Sequence, residues 1–144
     1  MSEEQDFEKL MALREGRRTD VYKDSLGKLT VGIGHLVAPA DNLRFGEVIS
    51  DQRVSALFQA DGADALDAAR DQASEAAVTE SFFVVALASV CFQLGDEWRK
   101  KFPTTWKLIV DGKYAEAAHG LDGTLWQKQT PVRVKDFQDA LRRL

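Results

Sequence analysis

The sequence predicts an α+β fold, mostly helical, with a small N-terminal lobe built on a β-hairpin and a C-terminal helical lobe. Three observations lead there. Apolar residues recur with helical spacing over the first fifteen residues, then shift to short glycine-bounded alternating runs, then return to helical spacing from Ser50 almost to the end. The chain has 144 residues, enough for one domain of two lobes over residues 1–144. No internal repeat, low-complexity tract or flexible linker interrupts it.

Phe7, Leu10, Met11 and Arg14 follow a 3, 4, 7 spacing, so residues about 4–15 form a first helix, and Gly16 stands where a left-handed cap is wanted. Glu15 is thereby placed at a helix end. Val21 to Asp24 and Leu29 to Gly34 read as two short strands around a Ser25-Leu26-Gly27 turn. In the second strand Leu29, Val31 and Ile33 share one face; Thr30, Gly32 and Gly34 share the other, which carries one hydroxyl and no bulk. Glycine in a strand marks either twist or close approach of a ligand or another backbone.

Ser50 can cap a long helix whose buried side holds Val54, Leu57, Phe58 and Leu66, with Gly62 as a point of weakness or kinking. Phe82 to Phe92 is apolar all round, as in a helix buried within a bundle, and Cys91 reads there as a small core residue. Gly95 ends that helix. Shorter helices are expected at about 97–101, 104–111, 113–121 and 131–143, the last opened by Thr130-Pro131. The small lobe covers about 16–50 and the connecting helix about 51–73. The helical lobe takes about 75–144 together with the N-terminal helix.

Composition narrows the function classes. Hydrophobic residues make up 44% and charged residues 29%, a globular balance that excludes intrinsic disorder. The single cysteine excludes an intramolecular disulfide and a cysteine-cage zinc site, and two histidines leave little for a metal centre. The longest charge-free stretch, Ser81–Gly95, is fifteen residues, short of the ~20 needed to span a bilayer. The acidic start has no apolar segment, so no signal peptide is visible and synthesis in a cytosol is expected. The net charge of −4 divides into −1 over residues 1–46, −8 over 47–97 and +5 over 98–144. The whole is no nucleic-acid binder on charge alone, although its basic last third could meet an anionic polymer or be simply a solvated surface.

Glu15, Asp24 and Thr30 lie within sixteen residues on a helix end and two adjoining strands. Two carboxylates facing a glycine-floored groove suit acid–base cleavage of a glycosidic bond: one protonated to donate to the leaving oxygen, one ionised to activate water. An ordinary acidic surface would show the same composition.

The residues themselves carry a resemblance. Glu15-Gly-Arg-Arg-Thr-Asp-Val-Tyr-Lys-Asp24-Ser-Leu-Gly-Lys-Leu-Thr30-Val-Gly-Ile-Gly-His35 closely resembles the signature of the phage-type lysozymes, the endolysin muramidases, with matching spacings of nine, six and five. Phe92-Gln-Leu-Gly95, Trp126 to Arg133 and, more weakly, Tyr114 to Ala118 match in order, so the likeness covers most of the chain. It implies a lysozyme-like fold and hydrolysis of the β-1,4 bond between N-acetylmuramic acid and N-acetylglucosamine in peptidoglycan, by an inverting mechanism that ends in host lysis. Glu15 resembles the general acid, Asp24 the group that handles the attacking water, and Thr30 the hydroxyl that helps hold it. Leu36, Phe92, Gln93, Phe102 and Thr105 fall at positions that line the family's glycan cleft. His35 matches a structural histidine with Asp61 as its acidic partner, and Arg133 matches an arginine near the catalytic glutamate.

The same likeness implies no metal and no organic cofactor, peptidoglycan strands as partner, no nucleic acid, no membrane insertion and a monomer. It further implies action on the wall in the periplasm after a separate membrane-permeabilising protein lets the enzyme out. Two departures stand out. The stretch from Leu36 to Ser50 is shorter than in the longer members, and a pI near 5.2 contrasts with the many basic endolysins. Two other readings of these residues stay open: a lytic transglycosylase, which needs the acid but no water-directing carboxylate, and a non-catalytic lysozyme-like virion module. Trp98, Trp106 and Trp126 read as packing residues that could also stack on sugars. His119 and the Arg99-Lys100-Lys101 run read as solvated surface.

Overall fold

The computed structural model describes residues 2–144 and bears out the α+β class. Its elements are α1 (Glu3–Glu15), β1 (Arg18–Lys23), β2 (Leu29–Gly32), β3 (His35–Leu36), a 3₁₀ turn (Pro39–Asp41), α2 (Asp51–Glu75), α3 (Ser81–Leu94), α4 (Trp98–Lys101), α5 (Pro103–Val110), α6 (Tyr114–His119), α7 (Leu125–Gln129) and α8 (Pro131–Arg143). Contacts divide the chain into two compact units. One is Glu4–Ala63; the other is Asp64–Leu144 with the start of the chain through Glu3. The division falls inside α2, and it groups almost all of α1 with the sheet, whereas the sequence reading placed that helix with the helical lobe.

The first unit is an antiparallel sheet in the order β1-β2-β3, with α1 and the first half of α2. Tyr22 pairs with Thr30 and Lys23 with Leu29; Thr30 pairs in turn with Leu36, and Val31 with His35. The second strand is shorter than expected. Gly32 and Gly34 adopt φ of +66° and +65°, so the chain leaves the strand after Gly32, turns through Ile33-Gly34 and returns as β3. Positive φ favours glycine because a Cβ would crowd the backbone. A Cβ on Gly32 would also stand 3.3 Å from Val54 Cγ1, so this glycine lets the sheet approach α2.

Phe7, Met11, Val21, Val31, Ile33, Ile49, Val54 and Phe58 are buried and form this unit's core. Phe7 of α1 meets Phe58 of α2 edge-on, ring centroids 5.1 Å apart. Gly62 lies beneath both rings, and α2 continues as one helix through it. The glycine is therefore a packing requirement and not the kink expected from helix propensity. Ser50 caps α2 as expected, its Oγ accepting from Arg53 N at 3.1 Å.

In the second unit α3 supplies the centre: every residue from Phe83 to Cys91 is buried, as its all-round apolar run predicts. Phe137 of α8 packs against Phe83, Trp98 and Trp126 with centroid separations of 6.0, 5.7 and 6.4 Å. Trp98 and Trp126 are thus core residues, and the half-buried Trp106 sits edge-on to Trp98. One buried side chain joins three segments here. Gln72 donates to the Asp96 carbonyl at 3.0 Å and accepts from Trp98 Nε1 at 2.9 Å and from the Cys91 thiol at 3.6 Å. Its oxygen takes two donors and its nitrogen finds a carbonyl, which is what permits a primary amide in an apolar interior.

Candidate active site

Glu15 is the last residue of α1, and the chain turns immediately after it. Gly16 takes φ +84° while its amide closes the helix on the Ala12 carbonyl at 3.0 Å. That left-handed cap delivers the glutamate at the helix end with its side chain exposed. Gly34 forms a wall beside it. A Cβ built on Gly34 would lie 3.6 Å from both Cβ and Oε2 of Glu15, so the bare Cα of the β2–β3 turn faces the carboxylate.

Asp24 organises the β1–β2 turn. Its Oδ1 accepts from the amides of Leu26 and Lys28, both at 2.9 Å, while its own amide donates to the Lys28 carbonyl at 2.9 Å. This is the Asx arrangement for which aspartate is favoured in turns. Oδ2 accepts no hydrogen bond among the described residues and is left for other chemistry. Thr30, 4% exposed, donates its hydroxyl proton to the same Lys28 carbonyl at 3.1 Å. With that proton committed, Oγ1 presents only lone pairs. Asp24 and Thr30 are therefore registered to each other through the main chain of Lys28, and each offers an acceptor oxygen. A water molecule has two protons to give, so two acceptors orient it and leave its lone pair free to attack.

Residues 12–143 match the family model described as phage lysozyme. The chain belongs to the phage lysozyme family. It is similar to probable T4-type lysozyme 2 of Dictyostelium discoideum, 31% identical over 141 residues that cover 83% of each chain. Probable T4-type lysozyme 1 of the same organism is 28% identical over the same share of both chains. Peptidoglycan hydrolase gp36 of Pseudomonas phage phiKMV is 30% identical over 131 residues, which cover 91% of this chain and 14% of that much longer protein. Membership makes the chain a glycoside hydrolase, in class a muramidase acting on peptidoglycan.

Within this phage lysozyme the expected structural histidine has two carboxylate partners, not one. His35 Nδ1 stands 2.7 Å from Asp61 Oδ2, and Nε2 stands 2.8 Å from Asp41 Oδ2. Burial of the ring would pull its pKa down, but the bonds and charges of Asp41 and Asp61 outweigh it and hold His35 above its ordinary value. Asp41 is held below the usual aspartate value, first by the Ala38 amide at 2.7 Å and then by His35. Sequence reasoning missed Asp41. Its only signal was an acid six residues after His35, just beyond Pro39, in a stretch without periodicity.

The remaining expected residues divide by unit. Leu36, 54% exposed, sits on β3 opposite Thr30, on the same face of the sheet. Phe92, Gln93, Phe102, Thr105 and Arg133 all belong to the helical unit. There Gln93 accepts from Trp126 Nε1 and donates to Thr130 Oγ1, both at 3.0 Å, and Phe102 packs on Trp126 with centroids 5.5 Å apart. Phe92 is half-buried, while Thr105 is buried with 6% exposure. Arg133 donates through Nη2 to the carbonyl and hydroxyl of Ser89 at 3.2 and 3.1 Å, fastening α8 to α3. No cluster of three or more potential metal ligands occurs among the described residues.

Proposed function

We propose that the enzyme hydrolyses the β-1,4 bond between N-acetylmuramic acid and N-acetylglucosamine with inversion at the anomeric carbon. Glu15 gives its proton to the leaving oxygen. Asp24 Oδ2 takes a proton from the attacking water, whose second proton rests on Thr30 Oγ1. The observation that carries this reading is the common anchoring of both residues on the main chain of Lys28, which leaves Asp24 Oδ2 and Thr30 Oγ1 open to accept. A lytic transglycosylase replaces the water by the sugar's own hydroxyl and gains nothing from such a pair. A non-catalytic module has no use for it either.

Leu36, Phe92, Gln93, Phe102 and Thr105 are assigned to the glycan, and His35, Asp61 and Arg133 to supporting structure. The enzyme acts as a monomer without metal or cofactor. It is made in the host cytoplasm and lyses the host from the periplasmic side once a separate protein has permeabilised the membrane. No helix of the described residues is long and apolar enough to cross a membrane.

Early-time proton NMR of newly formed reducing ends tests the stereochemistry. Inversion gives the α-anomer first from a β-linked glycan; a β-anomer first, or a trapped glycosyl-Asp24 adduct, would make Asp24 a nucleophile. Anhydro-muramyl ends, one water lighter, would make the enzyme a transglycosylase. Glu15→Gln keeps the shape but has no proton to give, and its activity is expected to fall by about 10²-fold or more with an unchanged melt.

A further inference from the structure

Asp41 is tied on three sides. Its Oδ2 accepts from Ala38 N at 2.7 Å and meets His35 Nε2 at 2.8 Å, and its backbone carbonyl accepts from Arg53 Nη2 at 2.8 Å. The opposite ring nitrogen of His35 belongs to Asp61 of α2, at 2.7 Å. The charged groups gathered here are Asp41 from the 3₁₀ turn, Asp61 from α2, and Arg53 of α2 through the Asp41 carbonyl. A neutral imidazole has a single N–H and would turn a bare lone pair toward one of the two carboxylates. Only the imidazolium satisfies both.

His35 directly follows Gly34, whose Cα is the wall beside the Glu15 carboxylate. The two sides of that contact are both referred to α2. On one side, α1 is fixed by Phe7 against Phe58 and by Glu8, which accepts from Ser55 Oγ at 2.8 Å and Gln59 Nε2 at 3.0 Å. On the other, the β2–β3 turn is fixed by Gly32 on Val54 and by His35 on Asp61. A single bond at Nδ1 fixes a point and lets the ring swing about it. A second bond at Nε2 fixes an axis.

We propose that Asp41 is a positioning residue for the reaction: with Asp61 it grips His35 by both ring nitrogens and so holds the Ile33-Gly34 turn against the Glu15 carboxylate. This rests on the reading of Glu15 as the acid. When His35 loses a proton, one of the two bonds becomes a lone-pair contact and the turn loosens. Turnover therefore depends on the His35 proton in addition to the proton that Glu15 donates.

The test compares the wild type with Asp41→Ala and Asp41→Asn on soluble peptidoglycan fragments, following kcat and KM against pH and the His35 ring by NMR. Asp41→Ala is expected to lower kcat roughly tenfold with KM little changed, as a misplaced catalytic group does. Its alkaline limb should move to lower pH together with the His35 titration, because a neighbouring anion that favoured the charged ring is gone. Asp41→Asn keeps an oxygen for Ala38 N–H and Nε2–H, so it should restore most of kcat at low pH while still moving the alkaline limb. An Asp41→Ala enzyme that melts lower but keeps wild-type kcat and pH profile while folded overturns the proposal. So does an Asp41→Asn enzyme whose alkaline limb and His35 titration stay in place, which keeps the test decisive if the alanine variant does not fold. Glu15→Gln separates the two readings. If it stays active, the acid assignment fails and this proposal with it; if it is inactive and Asp41 has no effect, only this proposal fails.

Discussion

Gly62→Ala sets two known effects of opposite sign against each other inside α2. Replacing a mid-helix glycine by alanine ordinarily stabilises by about 1 kcal/mol, because the unfolded chain loses freedom it would otherwise have to give up. Here the added Cβ would stand 2.9 Å from Phe7 Cε2 and 3.2 and 3.3 Å from Phe58 Cζ and Cε2. Carbon atoms prefer about 3.5–4.0 Å. Neither ring can withdraw easily, since Phe7 and Phe58 are 2% and 1% exposed and already packed edge to face. Overpacking of this kind costs about 1–3 kcal/mol. The clash should win, leaving a net loss of about 1 kcal/mol and a Tm lower by about 2–4 °C for a chain of this size. Urea denaturation followed by circular dichroism gives the number directly. Because Phe7 rides on α1, relief by an outward shift of that helix also moves Glu15 away from Gly34, so lysis of permeabilised cells should slow at temperatures where the fold is intact. Adding Phe7→Leu should return part of the lost stability by making room. A Gly62→Ala protein about 1 kcal/mol more stable than the wild type would show that the rings yield freely, and the packing argument would be wrong.

The His35 clamp makes stability depend on pH with a definite sign. Since the folded pKa of His35 is raised, its contribution is complete below the unfolded value of about 6.5 and disappears as pH rises through the folded one. His35→Asn should therefore cost about 2–4 kcal/mol near pH 5.5 and distinctly less near pH 10, and equal losses by urea titration at both would count against the imidazolium. The lowered value of Asp41 works in reverse, contributing above about 3.9 and fading as pH falls through its depressed pKa. Lys101 is exposed and unpaired among the described residues, unlike Lys100, which meets Glu97 at 2.9 Å. If the basic last third guides an acidic enzyme to an anionic wall, Lys101→Glu slows lysis most at low ionic strength; a mutant-to-wild-type ratio indifferent to salt would reduce that surface to solvation. Burial, with the nearby Asp96, pushes the Cys91 thiol up to about 12. A thiol reagent at neutral pH should then label Cys91 only as fast as the protein opens, and rapid labelling of the native state would contradict its burial.

Legibility in the sequence followed the range of the interaction that decides each element. α3 was readable because eleven residues without a charge, all but Ser89 apolar, allow no surface helix, and Ser50 because a cap acts within three residues. The second strand was misread past Gly32 because the left-handed φ of Gly32 and Gly34 is a backbone property that a strand-like alternation does not reveal. β3, two residues long, leaves no periodicity to find. α7 was likewise missed: its Thr124 cap, accepting from Gln127 N at 3.2 Å, opens a helix of only five residues just ahead of Pro131. Gly62 was visible as a weak point for a helix, but its reason lies fifty-five residues away at Phe7. Of the proposed site, Glu15, Asp24 and Thr30 stand out in the sequence as a spacing pattern through the family resemblance. What joins Asp24 to Thr30 was not legible, because the link runs through main-chain atoms of Lys28 that every residue type carries. Asp41 was hidden for a related reason, since its partner sits across a turn whose path no local pattern announces.

That main-chain link has a consequence for how this turn can vary. The groups that hold Asp24 in place are amides at positions 26 and 28, and the group that takes the Thr30 proton is a carbonyl. None depends on what side chain those positions bear, and the Leu26 side chain is largely in solvent, 78% exposed. Positions 26 and 28 are thus free to exchange their side chains, and with them their charge and greasiness, without disturbing the two oxygens behind them, while Gly27 between them is kept by its φ of +78°. Proline is the exception, because it alone would delete an amide that the aspartate needs. The turn can be rewritten to suit a different wall or a different solvent while its grip on the aspartate is passed on unaltered.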